Sequence, residues 1–235
     1  RTIHDAAGGR RGMLSTVAQS LPDAVVVAPV RVSIKVPDRP LEVALESILE
    51  RHGFGLGGEP DGFDCELVTS PGGATGKGPA VLLVDPTPVR AQIALGAVDA
   101  GLVAAAVAWE RIDDVPFVLD GVARSLSMVS ASVSLAARLL PGFSRRQHEL
   151  LALLSGEHVK HTSICSALVC SPTTLKREVR HLRERLGLAS HHELPAYARA
   201  LGYSPCLSAG EIALLHSDAK PKCAQPLPGS PEAPR

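Results

Sequence analysis

The sequence predicts an α/β fold with a doubly wound parallel sheet, followed by an all-α C-terminal unit. From Val30 to Leu126, short apolar segments of strand length alternate with segments of helix length. Such alternation is the order of a doubly wound parallel sheet. From residue 143 onward, apolar residues instead recur at three- and four-residue spacing. That spacing indicates helices packed on one another.

The predicted strands are short and apolar. Val30–Val36 alternates in polarity and is rich in β-branched residues, which is typical of a strand. Ala80–Val84 reads AVLLV, and a wholly apolar strand is expected where both faces of a parallel sheet are covered. The remaining predicted strands are an FGL segment within 53–58, Cys65–Thr69 and Leu102–Ala108. The predicted helices are Leu41–Arg51, Pro88–Ala100 and Val115–Leu126.

Three further segments complete the predicted domain organisation around 30–126 and 143–203. Residues 1–29 carry little pattern and form a predicted N-terminal extension. Residues 127–142 are rich in Ser and Ala and end in Pro-Gly, so we predict a linker, of which Val133–Leu140 could continue as a helix. Residues 204–235 contain several prolines and few bulky apolar side chains. A mostly disordered tail is therefore expected, with one short helix at Ser208–His216.

The net charge of zero is unevenly distributed. Residues 141–203 carry nine Lys or Arg against five Asp or Glu, whereas residues 1–140 carry twelve against sixteen. A basic C-terminal unit joined to an acidic N-terminal unit fits a nucleic-acid-binding module attached to one that does not bind. Five cysteines without regular spacing argue against a disulfide framework. With no secretory signal or membrane span visible in the sequence, the expected location is cytoplasmic.

The segment Cys170–Leu188 predicts a capped helix with one apolar and one basic face. Ser171 is a favoured N-cap, Pro172 suits the first helical position, and Gly187 is a typical stop. An apolar stripe runs through Leu175, Val179, Leu182 and Leu186. Basic side chains lie between them, at Lys176, Arg177, Arg180, Arg183 and Arg185. A short helix and a tight turn precede this segment, so it suits a recognition helix that enters the major groove of DNA.

Further motifs follow one another in a fixed order across residues 143–203. They are a capping box of Ser144 and Gln147, Ile164-Cys165, Ser171 to Lys176, Leu186-Gly187-Leu188, Ser190 with Glu193 as a cap, and Tyr197-Ala198-Arg199. In this order they resemble the LuxR-type (GerE) helix-turn-helix of NarL/FixJ-class response regulators, a four-helix domain. The sequence departs from that pattern by one extra residue within Ser155–Ser163, by Cys170 in place of a larger aliphatic residue, and by Pro195 inside the fourth helix.

The resemblance implies a transcription regulator that binds double-stranded DNA as a homodimer, without a cofactor and without a membrane. Base contacts are expected from Lys176, Arg177 and Arg180, because Arg and Lys commonly bind the guanine edge. Phosphate contacts are expected from Thr173, Thr174, Arg183, Lys160 and His161. The alternative for these charges is a solvated helix face without a partner.

Residues 30–126 are similar in element order to a response-regulator receiver. In that alignment Pro37-Asp38 stands at the acidic pair, Thr69 (or Ser70) at the phosphoacceptor aspartate, Asp85-Pro86-Thr87 after the fourth strand, and Ala108 at the lysine. A hydroxyl cannot form an acyl phosphate, and a single carboxylate binds Mg²⁺ poorly. We therefore expect a degenerate receiver in an atypical response regulator. Such a pseudo-receiver would act through dimerisation, a small-molecule ligand or a partner protein, without aspartyl phosphorylation.

Other constellations in the sequence are weaker. Gly72–Gly78 resembles a phosphate loop but lacks its spacing, so a flexible loop is expected. His158, His161 and Cys165 lack a second ligand pair, and we expect no metal site. Oxidation of Cys165 with Cys170 is a further hypothesis.

The sequence shows no catalytic Ser-His-Asp set or carboxylate pair, so we do not expect an enzyme. The expected function is phosphorylation-independent, sequence-specific transcription regulation. The alternative is a protein-interaction module whose helix-turn-helix no longer reads DNA specifically. An α/β enzyme with an appended helical domain is disfavoured.

Overall fold

The computed structural model describes residues 29–57, 63–157 and 159–216. Within them, six strands form one sheet: β1 (Arg31–Lys35), β2 (Gly55–Leu56), β3 (Cys65–Val68), β4 (Ala80–Val84), β5 (Ala105–Ala108) and β6 (Met128–Val129). Their order across the sheet is β2-β1-β3-β4-β5-β6, and every neighbouring pair is parallel. The predicted extension, apart from residue 29, lies outside the described residues, as does the predicted tail beyond residue 216.

Helices cover both faces of this sheet. On one face lie α1 (Arg39–Arg51) and α3 (Val115–Ala123), and on the other lie α2 (Pro88–Asp99) and α4 (Ala131–Ala137). Successive residues of β4 serve opposite faces: Val81 and Leu83 pack with α1 and α3, whereas Leu82 and Val84 pack with α2 and α4. Burial on both faces explains the unbroken apolar run of β4. The predicted doubly wound parallel sheet is confirmed.

Part of the predicted linker 127–142 belongs to this α/β layer instead. β6 adds the sixth strand by pairing with β5, and α4 packs against α2 through small side chains. Ala94 and Ala97 of α2 share an apolar cluster with Ala136 and Ala137 of α4. Alanines let two helices approach closely, so a Ser- and Ala-rich composition marks a packed helix here rather than a linker.

Within the described residues, five helices form the C-terminal half: α5 (Arg145–Leu154), α6 (His161–Ala167), α7 (Pro172–Arg185), α8 (Glu193–Ala200) and α9 (Ala209–Leu215). The predicted four-helix arrangement is confirmed in α5 to α8. Helix α9 matches the short helix expected at Ser208–His216 and begins with a capping box of Ser208 and Glu211. The predicted tail is therefore folded up to residue 216. None of the described helices is long and apolar enough to cross a membrane.

Helix α8 begins differently from the expectation of a Ser190 cap. His192 is the N-cap residue and supplies no side-chain hydrogen bond. Glu193 accepts a hydrogen bond from the N–H of Ser190 (3.2 Å), but the hydroxyl of Ser190 accepts from the N–H of His192 (3.3 Å). Pro195 lies in the first turn, where backbone N–H groups have no partner within the helix. It is therefore compatible with α8.

The two halves of the chain meet on α2. Val89 and Ile93 of α2 belong to the apolar core of the C-terminal half, and the N–H of Val89 donates to the carbonyl of Leu201 (2.9 Å). Arg90 of α2 pairs with Glu211 of α9 at 3.0 Å. The C-terminal half is thus packed directly on the α/β layer.

Candidate nucleic-acid interface

Local sequence signals fix both ends of α7. Ser171 is the N-cap, and its hydroxyl accepts a hydrogen bond from the N–H of Thr174 (3.1 Å). At the other end, Gly187 has a left-handed backbone with φ +65°, and the N–H of Leu188 folds back to the carbonyl of Arg183 (3.0 Å). Glycine takes this conformation without steric penalty, so it ends the helix as predicted.

The apolar stripe determines which side of α7 faces outward. Leu175 and Leu182 are 2% and 0% exposed and belong to the core of the C-terminal half. Val179 and Leu186 are half-buried against the same core. Because the stripe is held inward along its length, the opposite side of α7 lies at the surface.

Lys176, Arg177 and Arg180 are exposed on that outer side of α7. At 3.6 residues per turn, the three positions span an arc of about 100° around the helix axis. Among the described residues, none of the three is joined to a carboxylate by an ion pair. Their positive charges are therefore available to an anionic ligand.

The residues expected at phosphate groups differ in availability. Three of them are exposed, namely Lys160, His161 and Thr173. Thr174 is half-buried, and its hydroxyl shares a hydrogen bond with the hydroxyl of Ser171 (2.9 Å). Arg183 is half-buried and pairs with the neighbouring Glu184 at 3.3 Å. Thr174 therefore supports the cap of α7, and Arg183 has to exchange a carboxylate for a phosphate before it binds one.

Arg185 has a structural role that sequence reasoning missed. Its guanidinium donates to the carbonyl of Gly142 (2.6 Å) and to Oε1 of Gln147 (3.1 Å). It also lies 5.3 Å from the ring centroid of Phe143, within the range of a cation–π contact. These contacts fasten the end of α7 to the start of α5. The partners lie 38 and 43 residues away in sequence, so no local pattern could indicate them.

No pattern in the sequence indicated that His148 is buried. His148 and Tyr203 are 2% and 3% exposed, and Nδ1 of His148 lies 2.5 Å from the hydroxyl oxygen of Tyr203. Burial is the main cause that lowers the pKa of His148 to about 4, and the charge of His216 is a smaller one. Burial raises the pKa of Tyr203 above its usual value. The imidazole of His148 is therefore neutral and the phenol of Tyr203 is protonated. In these states the Tyr203 hydroxyl can donate its hydrogen bond to Nδ1 of His148.

Three of the residues expected at receiver positions, Asp38, Thr69 and Asp85, border one cavity of about 480 Å³. Asp38 follows β1, Thr69 follows β3, Asp85 follows β4, and Trp109 directly follows β5. Ala108 is the buried last residue of β5. The strand order reverses beside β1, and open α/β sheets bind ligands in the crevice at such a point.

This cavity reaches the C-terminal half of the chain. Arg90 of α2 and Glu211 of α9, which pair with each other, both border it. A molecule bound in the cavity would therefore touch the contact between the two halves.

The glycine-rich loop 71–79 is tied to a buried carboxylate. Glu66 in β3 is 0% exposed and accepts hydrogen bonds from the N–H (2.8 Å) and the hydroxyl of Thr75, and from Nζ of Lys35 (2.8 Å). Burial by itself would raise the pKa of Glu66, but the hydrogen bonds from Lys35 and Thr75 lower it below its usual value. The carboxylate therefore stays charged and holds the loop at Thr75, a restraint that the glycine content alone did not indicate.

Two of the three weaker metal candidates lie on one helix. His158 lies outside the described residues, while His161 and Cys165 are on α6. In the described ranges, no three His, Cys, Asp or Glu side chains converge on a common point.

No protein-family model matches the sequence, and no curated protein matches it. Among solved structures, the chain is similar to the Salmonella typhimurium RcsB response regulator at 16% identity and a TM-score of 0.46, covering 72% of this chain and 99% of that chain. It is similar to a two-component response regulator RcsB–DNA complex (17%, 0.47, 73% and 98%) and to response regulator ChrA of a heme-sensing two-component system (17%, 0.41, 74% and 98%). At these TM-scores the likenesses carry no weight in assigning a function.

Replacing Ser171 with alanine is expected to lower the free energy of unfolding by about 1 kcal/mol, because the N-cap hydrogen bond to Thr174 is lost. Ser171→Asp is the matched variant, since aspartate caps as well as serine and should retain the stability. Urea denaturation of both variants checks this. If the aspartate variant unfolds as easily as the alanine variant, the hydroxyl does not stabilise α7 as a cap.

Proposed function

We propose that this protein is a sequence-specific DNA-binding transcription regulator whose helix α7 enters the major groove. The observation that carries the proposal is the exposed set of Lys176, Arg177 and Arg180 on a helix that its caps and the core hold in place. Such a helix presents its side chains to base edges in one orientation. Lys160 and Thr173, exposed near the start of α6 and α7, would bind phosphates and fix the register on the duplex.

A homodimer is part of this proposal. One recognition helix covers only a few base pairs, and two copies on paired half-sites extend the sequence that is read. On the α/β half, Phe117 of α3 and Leu135 of α4 are 70% and 64% exposed. In the proposed homodimer a second copy of the chain would cover one or both of these side chains.

The α/β half is proposed to be a degenerate receiver, or pseudo-receiver, in an atypical LuxR-type response regulator. Thr69 in place of an aspartate removes the acyl-phosphate chemistry, and Asp38 and Asp85 remain in a cavity with a partly apolar lining. The cavity would take a small-molecule ligand. Because Arg90 and Glu211 border the cavity, a bound ligand would alter their ion pair and so the contact between α2 and α9. Control of DNA binding would then depend on the ligand or a partner protein.

Incubation of the full chain with acetyl phosphate and Mg²⁺ is expected to add no phosphate. Thr69 offers a hydroxyl, which does not form the mixed anhydride that a receiver aspartate forms. Intact mass measurement checks this. The positive control is a receiver domain that has both the acidic pair and the phosphoacceptor aspartate. A base-labile mass increase located on residues 30–126 would refute the pseudo-receiver.

Mapping of the genomic sites that the protein occupies tests the DNA-binding function. The occupied fragments should share a two-fold related sequence motif, and the purified protein should bind one of them with an affinity that falls as salt rises. Occupied sites without a shared motif would favour the alternative, a protein-interaction module whose helix-turn-helix no longer reads DNA specifically.

A further inference from the structure

The turn between α6 and α7 brings two cysteines together. Helix α6 ends in two hydrogen bonds that turn the chain back: the N–H of Cys170 donates to the carbonyl of Cys165 (2.9 Å), and the N–H of Val169 donates to that of Ser166 (3.3 Å). This pair of bonds defines a Schellman motif. The motif places the side chains of its first and last residues against each other, usually as a hydrophobic contact. Here both of those residues are cysteines.

The two thiols are in contact and reachable from solvent. The hydrogen bond from the N–H of Cys170 to the carbonyl of Cys165 sets the two side chains beside each other. Both residues are half-buried, and they border an open surface groove together with Val169 and Ser171. Partial burial is the main cause that raises the pKa of the Cys165 thiol, and the neighbouring Cys170 is a smaller one.

The residue directly before Cys170 in the turn is strained. Val169 has φ +48° and is 91% exposed. A β-branched residue rarely takes this left-handed conformation, which usually belongs to glycine. The two backbone hydrogen bonds of the Schellman motif hold the turn in this shape. A covalent bond between the two sulfurs would add a restraint across this turn and change its backbone geometry.

We propose that Cys165 and Cys170 are a modification site that forms a reversible disulfide under peroxide. One thiolate displaces hydroxide from hydrogen peroxide and becomes a sulfenic acid. The second sulfur then gives up its proton and attacks the sulfenic sulfur, whose S–O bond breaks so that the hydroxyl leaves as water. In total two thiols and one peroxide give one disulfide and two waters, and a small dithiol restores the thiols.

The disulfide would also change α7, and this consequence rests on the proposed DNA-binding function. Sulfurs in a disulfide lie about 2.05 Å apart, closer than two thiols that are not bonded to each other. Closing that gap pulls Cys170, and with it the adjacent Ser171 cap, toward the end of α6. Because Ser171 begins α7, the first turn of the recognition helix should move. We expect DNA affinity to fall about tenfold, since recognition needs side chains placed within about 0.5 Å.

The test oxidises the full-length protein with hydrogen peroxide, blocks free thiols with N-ethylmaleimide and analyses the tryptic peptide 161–176, which contains both cysteines. The expected result is a peptide that carries neither alkyl group, and that carries both when it is first reduced with a dithiol and then alkylated a second time. Cys206→Ser, which removes an exposed thiol elsewhere, should give the same result. Peptide 161–176 alkylated twice after peroxide would overturn the proposal.

DNA affinity measured on the same samples separates this site from the proposed function. Peroxide should weaken binding by the wild type and by Cys206→Ser, but not by Cys165→Ala or Cys170→Ala, whose folding is checked by circular dichroism. A disulfide with unchanged affinity would overturn the effect on α7 while leaving the modification site in place. Reduced protein that binds no DNA would overturn the proposed function, and the peptide masses would still decide whether the disulfide forms.

Discussion

Replacing Lys176 and Arg180 together with alanine is expected to lower the affinity for an occupied DNA fragment about a thousandfold. Each basic side chain at a guanine edge contributes about 1–3 kcal/mol of discrimination, so two contacts of about 2 kcal/mol each give about three factors of ten. Both side chains are exposed and outside the core. Alanine also favours helix, so α7 should keep its fold. Fluorescence anisotropy at one fixed salt concentration measures the loss.

Arg138→Ala is the matched control for this experiment. Arg138 is exposed at the end of α4, so its removal deletes a surface charge from the α/β half and should leave affinity nearly unchanged. A fragment with a scrambled motif should bind weakly to all variants, and the double variant should lose most of its preference for the native fragment. Equal affinity of the wild type and the double variant would rule out α7 as the reading helix. It would favour a protein-interaction module.

The outer face of α7 could be predicted because its signals are local. Ser171, Pro172 and Gly187 define the ends through backbone rules that act within a few residues. The stripe through Leu175 and Leu182 defines the rotation, and the exposure of the basic residues follows from it. Element order in the α/β half was also predictable, since each buried strand needs its own apolar run.

The parts of the fold that could not be predicted depend on contacts that are distant in sequence. β6 is only two residues long and is stabilised by pairing with β5, so it carries no pattern of its own. Helix α4 exposes Leu135 and buries small residues against α2, which makes its composition resemble a linker. Arg90 and Glu211 are separated by 121 residues. Their pairing, and the cavity beside it, exist only once the two halves are packed.

Lowering the pH from about 7.5 to about 4 is expected to reduce the free energy of unfolding by about 3 kcal/mol through His148 alone. In the unfolded chain this imidazole has an ordinary pKa of about 6.5. In the folded chain its pKa is lowered to about 4, mainly by burial and to a smaller extent by the charge of His216. The unfolded state therefore binds a proton that the native state excludes, so the contribution is complete above the unfolded pKa and falls as the pH drops through this window.

Urea denaturation at a series of pH values measures this effect as a difference between two proteins. His148→Gln keeps a hydrogen-bonding group near Tyr203 but cannot titrate, so its stability should fall less steeply with acid than that of the wild type. His181→Gln, which changes an exposed histidine of α7, should follow the wild type. Parallel curves for His148→Gln and the wild type would mean that the proton binds elsewhere, on carboxylates common to both. A steeper wild-type curve places the acid sensitivity at the contact of His148 on α5 with Tyr203, just beyond α8.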